Sequence, residues 1–268
     1  SEAEMKSYIK NIVVLVVTII IAVIASMDFL SMHKNEEIAH NPSITEIKML
    51  SQYSPRLKGT SLDTEVYFFD SGIEGGTFLI LGGTHPNETA GLVAATALIE
   101  NISVEEGRVI IIPRTNNSGF THTSPFDGMQ DFFTLTLEDG TERTFRVGNR
   151  LTNPVHQWPD MNYYEGTSGR TIYGTENAEV RNVNRLYYGT EDGVLTEQVC
   201  YGIYNLINEE NVSITMDMHE GSPEFLYLDC TMVNMKRDNT TAMSIASDMA
   251  LSMNFDDLDM RAEYSGVT

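Results

Sequence analysis

The sequence predicts an α/β domain in three layers, with a mixed, largely parallel sheet flanked by helices. The first observation is that strand and helix patterns alternate from residue 65 to about residue 220. The second is that several strand segments are continuously apolar, which is typical of strands buried on both faces. The third is the length, because 268 residues suffice for one large core or for two small ones.

Four segments have the composition of strands, and two others repeat their apolar residues at helical spacing. The strand segments are EVYFFD (65–70), TFLILGG (77–83), RVIIIP (108–113) and VSITMDMH (212–219). The helical segments are ETAGLVAATALIENI (88–102) and LTEQVCYGIYNLINEE (195–210). A further helix is predicted in the run that starts at residue 245.

One segment departs from this alternation. FFTLTLEDGTERTFRVG (132–148) alternates with a period of two around Asp139-Gly140, which predicts an inserted β-hairpin. Residues 149–189, rich in Asn, Gly, Tyr and Pro, then show little periodicity. Ordered loops of this length on an α/β scaffold are common places for binding sites.

The N-terminus predicts export. Residues 12–25 carry no charge and follow Lys6 and Lys10, the arrangement of a signal peptide or a membrane anchor. We therefore expect a signal peptide or anchor over residues 1–30, a linker or stalk over 31–59 and a folded domain over 60–268. That domain would be secreted or anchored to the outer face of the cytoplasmic membrane.

The charge balance argues against one class of partner. The chain has 38 acidic and 17 basic residues and a formal net charge of -21. Such a field repels polyanions, so nucleic acid is not expected as a partner. Contact with a membrane is expected only through the N-terminal segment.

GGTHPNE (82–88) has the features of one part of a metal site. Its glycines follow a predicted buried strand, and His85 and Glu88 would lie at the carboxyl edge of the sheet. A catalytic zinc site needs three protein ligands, and SITMDMHEG (213–221) places His219 at a second strand end. If this segment is extended, Asp217 shares a face with His219 and can support its ring, whereas Glu220 points away.

Between these two segments, VRNVNRLYYG (180–189) carries groups that can bind a carboxylate. Arg181 and Arg185 offer forked donors and Asn184 offers an amide. The alternative is that the two arginines lie on the surface and pair with some of the many acids.

In this order, GGTHPNE, NVNRLYYG and DMHEGSPE resemble the zinc carboxypeptidase superfamily, particularly its succinylglutamate desuccinylase and aspartoacylase branch. The resemblance covers roughly residues 60–268 and implies a zinc carboxypeptidase-like fold. It also implies one Zn²⁺ ion held by His85, Glu88 and His219. Asn184 and Arg185 match the family's pair that binds a substrate carboxylate, and Arg181 is a further candidate.

The chain also departs from the family's pattern. Asn182 stands where the family has Asp, and Tyr187-Tyr188 stands where it has Phe-Pro. The family's general-base glutamate follows the third ligand by several tens of residues, and Glu263, the nearest late acid, lies in a segment unlike the family's. We therefore expect that glutamate beyond Thr268, in a C-terminal continuation, and expect this chain to bind zinc but hydrolyse amides poorly.

Three functions are compatible with these motifs. The first is a zinc-dependent deacylase that removes an acyl group from an N-acyl amino acid, as the wording of GGTHPNE implies. The second is an exported metallocarboxypeptidase that acts on peptides or cell-wall stems, which the N-terminal segment favours. The third is a binding module that keeps the fold without the chemistry. In the two enzymatic cases the substrate is a small molecule or peptide with a free carboxylate.

Overall fold

The computed structural model describes residues 2–31, 34–123, 130–158, 164–165, 171–172, 179–187, 189–221, 230–234, 240–255 and 261–265. The helices in these ranges are α1 (Glu2–Ser31), α2 (Thr89–Asn101), α3 (Leu195–Glu209) and α4 (Thr240–Phe255). The first strands are β1 (Glu46–Met49), β2 (Glu65–Asp70), β3 (Thr77–Leu81), β4 (Arg108–Ile112), β5 (Phe132–Thr136) and β6 (Glu142–Arg146). The later strands are β7 (Tyr164–Glu165), β8 (Thr171–Ile172), β9 (Ile214–Asp217), β10 (Cys230–Asn234) and β11 (Arg261–Ser265).

The main sheet contains five of the described strands in the order β1-β2-β4-β3-β9. β2 pairs antiparallel with both β1 and β4, whereas β3 pairs parallel with both β4 and β9. Four strands of this sheet therefore run in one direction and β2 runs in the other. The predicted mixed, largely parallel sheet is confirmed.

Helices cover both faces of this sheet. Successive side chains of a strand point to opposite faces, so Leu79 and Leu81 pack in one cluster with Val199 of α3. Ile80 points to the other face and packs in a cluster with Ile99 of α2. Each such buried side chain contributes about 1.5–3 kcal/mol to folding. The continuous apolar composition of β3 is explained, because helices bury both of its faces.

The inserted hairpin lies where the sequence predicts it. β5 and β6 pair antiparallel, with Phe133 opposite Phe145. Gly140 has a φ of +82°, a conformation that few other residues adopt, and the Asp139 carboxylate accepts a hydrogen bond from the Thr141 amide. The two rings stack with centroids 5.5 Å apart and pack with Leu92 of α2, so the hairpin is joined to the helix layer.

Residues 31–59, predicted as a linker or stalk, contribute to the fold. β1 lies within them and forms one edge of the main sheet. Leu50 and Leu57 are fully buried in the core cluster beneath α3. Asn41 is buried and donates to the carbonyls of Ile99 and Ile102 at the end of α2. The folded unit therefore begins before residue 60. The prediction was wrong here because a short edge strand and isolated leucines leave little periodicity in the sequence.

Helix α1 is longer than the apolar run that predicts it. It spans 30 residues, contains a window with a mean hydropathy of 2.8 and has no buried residues. By length and composition this helix can cross a membrane, and signal sequences near the N-terminus have the same properties.

Candidate metal centre

The GGTHPNE turn connects the end of β3 to the start of α2. Gly83 has a φ of +59°, and a Cβ atom there would lie 2.8 Å from the Phe120 ring. The carbonyls of Gly82 and Gly83 accept hydrogen bonds from the amides of Thr115 and Asn116, which follow β4. Glycine is therefore required at position 83 by both conformation and space, and the turn is held firmly against the neighbouring strand.

The third ligand comes from the neighbouring strand. β9 pairs parallel with β3, with Leu81 opposite Asp217, and the Met218 amide donates to the Leu81 carbonyl. A Cβ atom on Gly91 of α2 would lie 2.8 Å from the Met218 carbonyl oxygen, so helix and strand approach closely. Parallel pairing thus brings the two strand ends, and the residues after them, to one edge of the sheet.

The structure brings His85, Glu88 and His219 together, as predicted. One ligand atom from each lies within 4.8 Å of the others. His85 Nδ1 is 2.6 Å from Glu88 Oε1, and His219 Nδ1 is 2.8 Å from Glu88 Oε2. The two imidazole rings meet edge to face, with centroids 4.7 Å apart.

Both imidazole rings are oriented by acceptors on their far nitrogens. His85 Nε2 is 3.0 Å from Asn182 Oδ1, and His219 Nε2 is 3.0 Å from Asp217 Oδ2. An oxygen acceptor requires that Nε2 carry the proton, which leaves the Nδ1 lone pair of a neutral ring facing Glu88. Two lone pairs and a carboxylate then converge on one point, so either protons or a cation must lie between them. This donor set fits Zn²⁺, which binds imidazole nitrogen and carboxylate oxygen.

Glu88 and His219 change each other's pKa. Burial acts to raise the pKa of Glu88, but the hydrogen bonds to His219 and His85 lower it to about 2. Burial acts to lower the pKa of His219, but Asp217 and Glu88 raise it to about 10. Without a metal, Glu88 therefore stays ionised and His219 stays protonated, so a cation that binds here must displace the His219 proton.

Asp217 has the supporting role that the strand register predicted for it. Its Oδ1 accepts a hydrogen bond from the Thr84 hydroxyl at 2.7 Å. Its Oδ2 faces His219 and also accepts a hydrogen bond from the Tyr187 hydroxyl at 2.7 Å. Burial, and then the charge of Asp217, raise the pKa of Tyr187. Tyr187 therefore stays protonated and donates a hydrogen bond to Asp217, and the carboxylate is fixed from two sides.

The predicted substrate-binding residues differ in their surroundings. Arg185 is one third exposed, donates to the Asn184 side-chain oxygen at 2.9 Å and lies 3.0 Å from Glu179 Oε2. Arg181 is 8% exposed and donates to the Thr152 carbonyl at 2.6 Å, so it helps to hold the loop after the hairpin. The contact of all three predicted residues with a substrate carboxylate stays a prediction.

One residue around the site, Glu179, was missed from the sequence, and another, Asn182, was recognised only as a departure from the family's pattern. Asn182 faces His85, although its sequence signal was only a difference from the family's Asp. Glu179 accepts from Asn182 Nδ2 at 2.8 Å, and nothing in its local sequence indicates this. Glu220 accepts from the Ala90 amide at 2.5 Å and from Thr89, at the start of α2. It therefore stabilises the helix that begins beside Glu88.

Some predictions concern residues outside the described part of the chain. The Tyr188 placement and the Glu263 side chain belong to this group, and the general-base glutamate is expected beyond Thr268. These stay predictions.

The chain was compared with known proteins. No protein-family model matches the sequence, and no curated protein matches it. The fold is similar to that of several solved structures. One is an aspartoacylase family protein from Mesorhizobium loti, at 16% identity and a TM-score of 0.43, covering 82% of this chain and 55% of that one.

Two further structures are similar. A succinylglutamate desuccinylase/aspartoacylase from Rhodobacter sphaeroides is 17% identical with a TM-score of 0.41, covering 70% of this chain and 44% of that one. A metallo-carboxypeptidase from Burkholderia cenocepacia is 12% identical with a TM-score of 0.49, covering 89% of this chain and 51% of that one. The chain thus spans about half the length of these proteins.

Proposed function

We propose that this chain carries the metal centre of a zinc-dependent amide hydrolase that removes an acyl group from an N-acyl amino acid or a related small substrate. The observation that carries the proposal is the convergence of the two Nδ1 atoms of His85 and His219 on Glu88. The sequence order and wording of the three motifs support the deacylase branch.

The residues of this chain would prepare the reaction. Asn182 and Asp217 hold His85 and His219 with their Nδ1 lone pairs directed inward. Bound zinc supplies a Lewis acid that polarises a carbonyl group and makes water more acidic. Arg185, one third exposed, and Asn184 would bind the substrate carboxylate and so orient the amide.

Metal analysis and an activity assay test this proposal separately. We expect the purified chain to bind one Zn²⁺ per molecule. Hydrolysis of N-acyl amino acids by the protein should require this metal, so that chelation abolishes the activity. If the purified chain holds no metal and takes up none from solution, the binding module without metal chemistry becomes the correct description.

The second candidate is an exported carboxypeptidase, which α1 favours because it can cross a membrane by length and composition. Export, with the domain secreted or anchored outside, is part of this proposal. Parallel assays on N-acyl amino acids and on peptides with a free C-terminus distinguish the two enzymes. Protease protection in intact cells tests the location, since an exported domain is cleaved from outside and a cytoplasmic one is not.

A further inference from the structure

Glu179 lies at the centre of a chain of polar contacts that ends at the metal centre. Its Oε2 accepts a hydrogen bond from Asn182 Nδ2 at 2.8 Å and lies 3.0 Å from Arg185 Nε. Asn182, fully buried, in turn faces His85 Nε2 at 3.0 Å. The contacts thus run from Arg185 through Glu179 and Asn182 to His85.

Glu179 decides which end of the Asn182 amide faces His85. An ionised carboxylate can only accept hydrogen bonds, so the Asn182 NH₂ group must face Glu179 and the amide oxygen must face the imidazole. That oxygen in turn requires the proton on His85 Nε2 and leaves Nδ1 free for a metal. Without Glu179, a 180° turn of the amide would direct its NH₂ group to His85 and favour the opposite tautomer.

We propose that Glu179 is a positioning residue for the metal centre: it fixes the direction of the Asn182 amide and thereby holds His85 in its metal-binding tautomer. Arg185 keeps the Glu179 carboxylate in place, so the arginine predicted to bind substrate is joined to a metal ligand. An aspartate at position 182 would need no such partner, because both ends of a carboxylate accept. This inference rests on the proposed metal site.

A double-mutant cycle on zinc affinity tests the inference. In the wild-type background, Glu179→Ala should raise the zinc dissociation constant by about 10-fold, the lower end of the range for residues that support metal ligands. In an Asn182→Asp background the same substitution should not weaken zinc binding, because the introduced carboxylate directs an oxygen to His85 unaided and loses a like-charged neighbour. Glu179→Gln should retain affinity within about threefold, since the glutamine oxygen can still accept from Asn182.

Two controls keep the result specific. Glu142→Ala removes an exposed acid from the hairpin and should leave zinc affinity unchanged, so a general effect of charge is excluded. The free energy of unfolding of each metal-free variant shows whether it is folded. If Glu179→Ala does not fold, Glu179→Gln and the two variants in the Asn182→Asp background still report on the amide.

The possible outcomes separate this inference from the proposed function. Failure of the wild-type chain to bind zinc overturns the metal site and the inference with it. Zinc binding by the wild type with unchanged affinity in Glu179→Ala overturns the inference alone. An equal loss in both backgrounds also overturns it, because Glu179 would then act on the structure and not through Asn182.

Discussion

Two glutamates in different clusters of this protein have similarly low pKa values for different reasons. Glu88 lies in the metal centre, and Glu210 follows α3 and contacts Arg108 at the start of β4, at the opposite end of the strand from the metal-centre edge. For both, burial acts to raise the pKa, and hydrogen bonds lower it to about 2. The chemical character of the partners distinguishes them.

The partners of Glu210 neutralise its charge within the protein. Its carboxylate contacts Arg108 at 2.6 Å, Lys48 at 2.9 Å and the Tyr53 hydroxyl at 2.5 Å. Arg and Lys stay charged over the physiological pH range, so the charge of Glu210 is balanced without any bound ion. The partners of Glu88 are imidazoles that can lose a proton, and the position of that proton can then be taken by a metal. The two clusters therefore differ in that the protons facing Glu88 can be exchanged for a metal, whereas the cations facing Glu210 cannot.

The largest expected effect comes from removing a ligand. His219→Ala should weaken zinc binding by on the order of 1,000-fold, because a three-ligand site loses one donor. Titration calorimetry with a competing chelator measures this. Glu210→Gln serves as the matched control and should bind zinc like the wild type; comparable losses in both variants would show that the two clusters do not differ as described.

Zinc should stabilise the wild-type chain and not the ligand variant. At a free zinc concentration of 100 times the dissociation constant, the free energy of unfolding should rise by about 2.7 kcal/mol. For a domain of this size that corresponds to a rise of roughly 5–10 °C in Tm. Thermal unfolding with and without chelator checks the shift, and an equal shift for His219→Ala would contradict binding at this site.

Glu210→Gln should lower the free energy of unfolding by about 1–3 kcal/mol at pH 7, since Lys48 and Arg108, both partly buried, lose their shortest ionic contact. The folded pKa, about 2, is below the ordinary value of 4.5. The contribution of Glu210 is therefore complete above about pH 4.5 and is lost as the pH falls towards 2. Denaturant unfolding of both proteins across this range should show the difference disappearing in acid.

A matched acid sharpens this result. Glu46 also contacts Lys48, at 3.4 Å, but it is 56% exposed. We expect Glu46→Gln to change stability by less than about 1 kcal/mol, as exposed pairs do. A loss equal to that of Glu210→Gln would mean that burial is not the source of the effect.

Tyr53→Phe removes only the hydroxyl bound to Glu210, and its expected effect lies between those of Glu210→Gln and Glu46→Gln. The loss should be about 1 kcal/mol, because Arg108 and Lys48 still neutralise the carboxylate. Chemical denaturation measures it. A loss as large as that of Glu210→Gln would show that the hydroxyl, and not the cations, keeps the carboxylate ionised.

The strands that could be predicted from the sequence are those with the strongest local pattern. β2, β3, β4 and β9 were predicted because their composition is largely apolar and continuous. β1 was missed because it is a four-residue edge strand with mostly exposed side chains, so its sequence carries little pattern. β1 forms because it pairs with β2, and a short stretch of sequence does not show which strands pair.

Within the site, the sequence by itself determined the donors. Glycines after a buried strand and imidazoles at strand ends identified His85, Glu88 and His219, because the carboxyl ends of parallel strands share one edge. It also placed Asp217 beside His219, since alternate residues of a strand share a face.

The tertiary structure alone decided what supports His85. Asn182 reaches it from a loop 97 residues away along the chain. Glu179 and Tyr187 of the same loop reach Asn182 and Asp217. Local sequence patterns carry the periodicity of helices and strands, but the loop's position depends on the packing of the whole domain. The candidate ligands and the contact of Asp217 with His219 are therefore encoded locally, whereas the contact that orients His85 comes from a loop distant in sequence.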